Sequence, residues 1–250
     1  MTTTIVIPCY NEEKRLDVAQ FVELASDEIA LLFVDDGSKD RTADVLADLE
    51  RKGAGKIRML RLEKNSGKAE AVRRGLAAAL EESATGDFVG FVDADLATPV
   101  SEIRRLVREA TSGKAEVVMG SRVARAGAAI ERKPVRHYLG RGFATAASLL
   151  LHAQFYDTQC GAKFFRVSDS LRAAVSEEFL SRWIFDVELL GRLLIGTRDV
   201  RPIPESSFRE IPLHEWRDVA GSKLRPAHAF GVANDLVRIR ADLAARRSRT

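Results

Sequence analysis

The chain has 250 residues, enough to bury a complete hydrophobic core as one large domain or as one domain with an appendage. Its composition, 46% hydrophobic and 30% charged, excludes a disordered or fibrous protein, and a net charge of +3 gives no indication of nucleic-acid binding. Two cysteines, Cys9 and Cys160, exclude a disulfide framework and a cysteine zinc site, and no apolar run approaches the roughly 20 residues of a membrane span.

The first half of the chain alternates short apolar runs with helical patterns. Asp40 precedes the second helical pattern and is a good N-cap. Strands that alternate with helices of this length predict an α/β fold with a mostly parallel sheet and helices on both faces. The predicted strands span residues 4–8, 30–34, 57–62, 88–92 and 116–119, and the predicted helices span about 9–26, 41–52, 68–83 and 100–111.

The pattern is less regular after residue 122. Residues 124–134, rich in alanine, glycine and charge, predict a mobile loop. The helix predicted at 135–153 is apolar enough on one side to pack in the core or to lie shallowly on a bilayer. The remaining predictions are a polar turn at 157–161, strands at 162–167, 199–202 and 207–212, and helices at 182–195 and 227–245.

The last predicted helix is basic. Such a helix is commonly a solvated face, but it can also rest on anionic lipid headgroups. The N-terminus shows no signal-peptide pattern, so we expect a cytoplasmic protein that, if it works at a membrane, is peripheral on its cytoplasmic face. The arginines of this segment are Arg238, Arg240, Arg246, Arg247 and Arg249.

The strand predicted at 88–92 is almost wholly apolar and is followed at once by Asp93 and Asp95. Ligands of open α/β sheets bind at the carboxyl ends of the strands. Carboxylates are costly to bury unless they are paired or bound to metal, so this pair indicates a divalent cation with its phosphate ligand. Alternatively, Asp95 only begins a loop and caps the helix that follows Pro99.

Other polar side chains follow the neighbouring strands and are expected at the same edge of the sheet. Packing does not need them there, so the sequence predicts a site. For residues 35–38 (DDGS), an ordinary turn with a helix cap is the alternative. The residues gathered in this way are Tyr10, Asp35, Asp36, Lys68, Asp93, Asp95 and Arg122.

These motifs together resemble family 2 nucleotide-sugar glycosyltransferases, which have the GT-A fold. The first half carries residues 7–12 (IPCYNE), 34–38 (VDDGS), 65–68 (NSGK), the Asp93/Asp95 pair and 120–122 (GSR), in the family's order. The second half resembles the branch that glycosylates polyprenyl phosphates, most closely dolichyl-phosphate β-glucosyltransferases. Its motifs are residues 157–163 (DTQCGAK), 182–188 (RWIFDVE), and Trp216 with 221–224 (GSKL).

The resemblance implies one Rossmann-like GT-A domain over residues 1–250. Residues 1–122 would be the nucleotide-sugar-binding half, and 123–250 an acceptor-side extension that ends in the basic helix. In the donor site, an aromatic face and backbone amides near Tyr10 suit a uracil or another base, Glu12 suits ribose hydroxyls, and Asp35 or Asp36 suits a pyrimidine imide. The full set of implied nucleotide-sugar-binding residues is Pro8, Tyr10, Glu12, Asp35, Asp36, Lys68, Asp93, Ala94, Asp95 and Gln159.

The implied cofactor is Mg²⁺ or Mn²⁺, held by Asp95 with Asp93 alongside, because hard cations prefer carboxylate oxygens. Bound against the diphosphate, the cation would act as a Lewis acid for the departing nucleoside diphosphate. Some relatives have a further side-chain ligand two residues after the second aspartate. Ala97 occupies that position here, so we expect phosphate oxygens and water to complete the coordination.

The implied acceptor is a lipid phosphate, whose second pKa of about 6 makes it a nucleophilic anion near neutral pH without a general base. It needs positive charge instead, and Arg122, Arg132, Arg136 and Lys223 are the candidates. Arg132 and Arg136 are chosen only by their position in the loop, and either can be a solvated charge.

Asp186 suits sugar hydroxyls or the orientation of a cation, unless it is only a charge at a helix N-terminus. Trp183 and Trp216 are either core residues or sugar platforms. We expect the catalytic residues to be Asp93, Asp95, Arg122 and Asp186.

The sequence therefore predicts an inverting hexosyltransferase that moves glucose from UDP-glucose onto a polyprenyl phosphate at an anionic membrane surface. A GDP-mannose-dependent enzyme of the same branch is one alternative, and a non-catalytic sugar-nucleotide-binding subunit is another. A transferase acting on a protein or a soluble sugar would require a clear base, for which Asp186 is the candidate.

Overall fold

A seven-stranded sheet lies at the centre of the computed structural model, which describes residues 1–123, 127–131, 134–219 and 228–249. The strands are β1 (Thr3–Cys9), β2 (Ile29–Asp35), β3 (Ile57–Arg61), β4 (Phe88–Val92), β5 (Val117–Ser121), β7 (Ala162–Arg166) and β8 (Phe208–Pro212), in the order β3-β2-β1-β4-β7-β5-β8. Two short strands, β6 (Ala129–Glu131) and β9 (Glu215–Arg217), form a separate parallel pair.

Helices cover both faces of the sheet, as the alternating pattern predicts. On one face lie α1 (Val18–Leu24), α2 (Thr42–Lys52) and α4 (Val100–Ser112). On the other lie α3 (Lys68–Glu82), α5 (Pro134–Leu151), α6 (Asp169–Ser176), α7 (Phe185–Ile195) and α8 (His228–Arg247). The fold is thus α/β with a mostly parallel sheet. The division of the domain into a nucleotide-sugar-binding half and an acceptor-side half at residue 122 stays a prediction.

Strand β7 runs antiparallel to both of its neighbours, β4 and β5. Its amino end, Ala162, therefore pairs with Val92 at the carboxyl end of β4. This reversal brings the polar turn before β7 to the edge where the parallel strands end. The site consequently receives residues from both halves of the chain.

Two predicted helices begin later than expected because side chains bind backbone amides ahead of them. The first begins at Val18, where Asp17 accepts the amide of Gln20, and residues 10–17 form turns. The helix expected from residue 182 begins at Phe185, because the Ser181 hydroxyl accepts the amides of the two residues that follow Arg182.

Other predictions need smaller corrections. Asp40 does accept the amide of Thr42, although the helix itself starts at Thr42. Residues 199–202 form a bend followed by irregular backbone rather than a strand, and α6 was not predicted. The segment expected to be a loop, 124–134, contains β6. Residues 124–126 and 132–133 of this segment lie outside the described residues.

Helix α5 packs in the core through Ala144, Ala147 and Leu151, whereas Leu149 is 74% exposed. Helix α8 likewise buries Ile239 and Leu243. Among the helices that the structure describes, none is long and apolar enough to cross a membrane.

Candidate active site

Asp93 and Asp95 leave the buried strand β4 and lie at the predicted edge of the sheet. Lys68 is the first residue of α3, and its Nζ lies 2.5 Å from Asp93 Oδ1. The other carboxylate oxygen of Asp93 lies against Gly161, where a Cβ would approach Oδ2 to 2.0 Å. Asp93 is therefore held between a cation and the glycine turn before β7.

Asp95 is bound by Arg15, a residue that the sequence analysis did not select. Arg15 Nη2 donates to Asp95 Oδ2 at 2.9 Å, and the amide of Ala97 donates to Oδ1 at 3.1 Å. Burial and the nearby charge of Asp93 nevertheless raise the pKa of Asp95 above its ordinary value. The pair thus has negative charge that the protein compensates only in part.

The donor set fits a hard divalent cation. Both side chains offer carboxylate oxygens, and they are 36% (Asp93) and 23% (Asp95) exposed, so a ligand can reach them. Within the described ranges no group of three or more His, Cys, Asp or Glu side chains is placed to hold a metal. Asp95 and Asp93 would therefore need phosphate oxygens and water to complete the coordination.

Charge also gathers around Lys68. Burial opposes its ammonium charge, but the carboxylates of Asp93, Asp186 and Asp95 outweigh burial and raise the pKa of Lys68. Lys68 therefore carries its positive charge at neutral pH, in the midst of the predicted site.

The turn after β2 places Asp35 and Asp36 differently. Asp36 accepts two backbone amides of the turn at 65–68, at 2.7 and 2.8 Å, and burial raises the pKa of Asp36. Asp35 accepts the amide of Ser38 through Oδ1. Its buried Oδ2 lies 3.4 Å from Arg61 Nε and has no hydrogen-bond partner among the residues that the structure describes. Asp35 is thus the better placed of the two to accept an imide N–H.

The turn after β1 supplies the other predicted nucleoside residues. Glu12 is buried; its amide donates to Thr42 Oγ1, and its carboxylate lies 3.2 Å from Arg15 Nη1. Pro8 and Tyr10 are half-buried at the end of β1 and just beyond it. Arg15 thus connects the predicted ribose and metal residues.

Arg122 forms a largely buried bidentate pair with Asp157. Nε and Nη2 lie 2.7 and 2.8 Å from the two carboxylate oxygens, and the Arg122 amide also donates to Asp157. Burial alone would raise the pKa of Asp157, but the guanidinium overrides burial and lowers it to about 2. The guanidinium also lies 5.3 Å from the ring centroid of Trp216, which makes that buried tryptophan a support for Arg122.

Asp186 is also paired rather than free. Lys163 is fully buried on β7, and its Nζ lies 2.5 Å from Asp186 Oδ1 and 2.6 Å from the carbonyl of Cys160. Burial raises the pKa of Cys160 to about 11, so its thiol is not a nucleophile at neutral pH. Gln159 lies in the same turn. Its side-chain Nε2 is buried and has no hydrogen-bond acceptor among the described residues.

The structure brings together most of the predicted residues, including the buried Ala94. Arg132 and Lys223 lie outside the described residues, and Arg136 lies in α5 with its side chain outside them. Trp183 is partly buried and packs against the core.

Sequence reasoning missed Arg15, Asp157 and Lys163 as site residues. Asp157 and Lys163 belong to the motif at residues 157–163. A lysine within an apolar strand is rarely buried without a partner, so Lys163 could have been selected from the sequence as a site residue. No local pattern distinguishes Arg15, which contacts an aspartate 80 residues further along the chain.

A family model described as "Glycosyl transferase family 2" matches residues 4–171. The chain belongs to this family and is a glycosyltransferase. Its similar relatives include a dolichyl-phosphate beta-glucosyltransferase of Trichomonas vaginalis, 32% identical over 95% of this chain and 70% of the relative. The human dolichyl-phosphate beta-glucosyltransferase is also 32% identical, over 95% of this chain and 74% of its own length.

Solved structures share the fold at low identity. The glucosyl-3-phosphoglycerate synthase of Mycobacterium tuberculosis is 17% identical, with a TM-score of 0.61 over 100% of this chain and 81% of that one. The mannosyltransferase PcManGT of Pyrobaculum calidifontis, solved with GDP-mannose and Mn²⁺, is 17% identical, with a TM-score of 0.58 over 97% of this chain and 64% of that one. These likenesses confirm the predicted GT-A fold.

Proposed function

We propose that this glycosyltransferase moves glucose from UDP-glucose to a polyprenyl phosphate, with inversion, on the cytoplasmic face of a membrane. One observation carries the proposal: relatives that are about one-third identical over 95% of the chain are dolichyl-phosphate beta-glucosyltransferases. That coverage includes the second-half motifs as well as the donor half. The donor and the acceptor can then be argued from the site itself.

The pairing of carboxylates supports an acceptor that is already anionic. Asp186 Oδ1 is bound by Lys163, and both oxygens of Asp157 are bound by Arg122. Neither is therefore available as a ready general base for a sugar or protein hydroxyl. A phosphate monoester requires no base, which favours a lipid phosphate over those acceptors.

On the donor side, Asp93 and Asp95 would hold Mg²⁺ or Mn²⁺, and the PcManGT complex with GDP-mannose contains Mn²⁺. When bound, the cation supplies Lewis-acid stabilisation to the diphosphate. Lys68 adds a charged ammonium group to the same place, and Asp35 offers its Oδ2 to a pyrimidine imide. Direct attack by the acceptor phosphate on the anomeric carbon would convert an α-linked donor into a β-linked product.

The test is a panel of labelled nucleotide sugars, including UDP-glucose and GDP-mannose, offered with polyprenyl phosphate and Mg²⁺. We expect a lipid-mobile product from UDP-glucose alone, with a β-linkage by NMR. Turnover of GDP-mannose instead would overturn the donor, and transfer only to a soluble acceptor would overturn the acceptor. Binding of the donor without any turnover would show a non-catalytic subunit.

A substitution of Asp95 tests the proposed metal-binding role separately. Asp95→Ala should abolish transfer, because the carboxylate pair would lose one of its two acidic ligands. The fold should persist, since Asp95 is partly exposed and follows the core strand. Near-UV circular dichroism checks the fold, and full activity of the variant would remove Asp95 from the mechanism.

A further inference from the structure

The two carboxylates that would hold a cation already face two internal cations. Lys68 Nζ lies 2.5 Å from Asp93, and Arg15 Nη2 lies 2.9 Å from Asp95. Lys68 comes from the start of α3 and Arg15 from the turn after β1, so each cation approaches from a different element. Each carboxylate of the pair is therefore already matched by a cation, although Arg15 is shared with Glu12.

This pairing determines what can enter the site. A divalent cation by itself must displace a lysine or an arginine from its carboxylate without supplying an anion in return. A cation that arrives with a diphosphate brings phosphate oxygens, which arginine and lysine bind well. The exchange of partners then leaves every charge compensated.

The hydrogen bonding of Arg15 shows that its present arrangement is incomplete. Its side chain spans Glu12 and Asp95 and is only 25% exposed. Its Nε is buried and has no hydrogen-bond acceptor in the part of the chain that the structure describes. A buried donor without an acceptor is costly, and a phosphate oxygen would satisfy it.

We propose that Arg15 and Lys68 hold the carboxylate pair when no donor is bound and move to the diphosphate when it enters with its metal. Metal and nucleotide then bind synergistically, and Arg15 is a diphosphate-binding residue. The inference rests on the proposed function only in requiring a nucleoside diphosphate as leaving group, and it does not depend on the sugar or the acceptor.

The experiment measures Mn²⁺ affinity by titration calorimetry, with and without UDP, on the full chain. In the wild type, we expect UDP to tighten Mn²⁺ binding by about tenfold or more, the size of a typical coupling between two ligands. In Arg15→Gln, Mn²⁺ alone should bind several-fold more tightly than in the wild type, because a competing cation is gone. The tightening by UDP should shrink in the same variant.

Lys14→Gln is the matched control, since it removes one positive charge from an exposed neighbouring residue. Lys68→Gln provides a second variant with the same expected outcome, should Arg15→Gln fail to fold. Mn²⁺ affinity in the wild type that neither UDP nor GDP changes would overturn the proposal, as would identical behaviour of Arg15→Gln and Lys14→Gln. If GDP produces the coupling and UDP does not, the proposed donor is wrong and this inference stands.

Discussion

At Gly161 the backbone passes so close to Asp93 that a side chain has no room. A Cβ there would lie 2.0 Å from Asp93 Oδ2, so Gly161→Ala must displace the carboxylate or the turn. A shift of about 1 Å at a catalytic group can cost about 100-fold in rate, and we expect a loss of that size in the transfer assay.

Gly142→Ala is the control for this prediction. Gly142 lies in α5, and a Cβ there meets no atom of the described chain within 4 Å. Alanine in a helix is favoured over glycine by up to about 1 kcal/mol, so this variant should be slightly stabilised and fully active. Equal activity of the two variants would show that the position of Asp93 does not matter.

The pairing of Asp157 with Arg122 makes stability depend on pH. The pKa of Asp157 falls from its ordinary 3.8 to about 2 on folding, so its contribution is fully present above 3.8 and is lost as the pH falls towards 2. That shift corresponds to about 2 kcal/mol. In urea unfolding, Asp157→Asn should be destabilised by about this amount at pH 6 and by much less near pH 2.

Asp27→Asn serves as the comparison, because the Asp27 side chain is 97% exposed and its variant should match the wild type at pH 6. A destabilisation of Asp157→Asn that is the same at pH 6 and near pH 2 would contradict the pH linkage.

The sequence predicts a site residue when its position depends only on neighbouring residues. Asp93, Asp35 and Arg122 follow apolar strands directly, and parallel strands end at one edge. Their partners were not predictable, because Arg15–Asp95 and Arg122–Asp157 join residues 80 and 35 positions apart. Such pairs form only when strand order is fixed, and a single sequence does not show strand order.

At the scale of elements, the strands of the first half were predicted within two residues because buried parallel strands are continuous apolar runs. Helix starts were less accurate, since one hydroxyl or carboxylate that binds an amide moves the first turn. Ser181 does this ahead of α7 and also donates to Asp235 of α8, so the last helix is tied to the segment before Asp186. Sequence periodicity does not reveal such a connection.

Helix α8 is therefore expected to be part of the core rather than a detachable basic tail. Leu243 is fully buried, and a Cβ at Gly191 of α7 would lie only 2.3 Å from its Cδ1. Leu243→Ala should cost about 3 kcal/mol of unfolding free energy, as cavities of this kind do. Val237→Ala, on the same helix at a position that is 67% exposed, should change it by less than about 0.5 kcal/mol. Equal effects in denaturant titrations would show that α8 is not docked.

At the scale of the whole molecule, the basic C-terminus has less unpaired charge than its sequence suggests. Arg246 pairs with Glu177 and Asp242, and Arg247 donates to the carbonyls of Leu150 and Leu151 at the end of α5. These contacts use arginines that we expected to be available for lipid. We propose instead that a cavity of about 720 Å³ beside α5 faces the membrane.

The exposed Leu149 and Tyr156 line this cavity together with Arg141, whose guanidinium lies 3.8 Å from the Tyr156 ring centroid. Glu205 and Glu210 also line the cavity, but both carboxylates accept backbone amides of the chain. Apolar side chains beside an arginine suit the interface of an anionic bilayer. In vesicle flotation we expect binding to anionic rather than neutral lipid, weakened by salt.

Burying one leucine is worth about 2 kcal/mol, so Leu149→Asp should reduce vesicle binding by about tenfold or more. Val237→Asp, which places the same charge on α8, should bind as the wild type does. If the wild type shows no preference for anionic vesicles, the proposed peripheral location is wrong. The proposed transfer reaction can still be tested in that case, with a short soluble polyprenyl phosphate as acceptor. If both variants lose binding equally, added negative charge alone explains the loss, and the surface beside α5 has no special role.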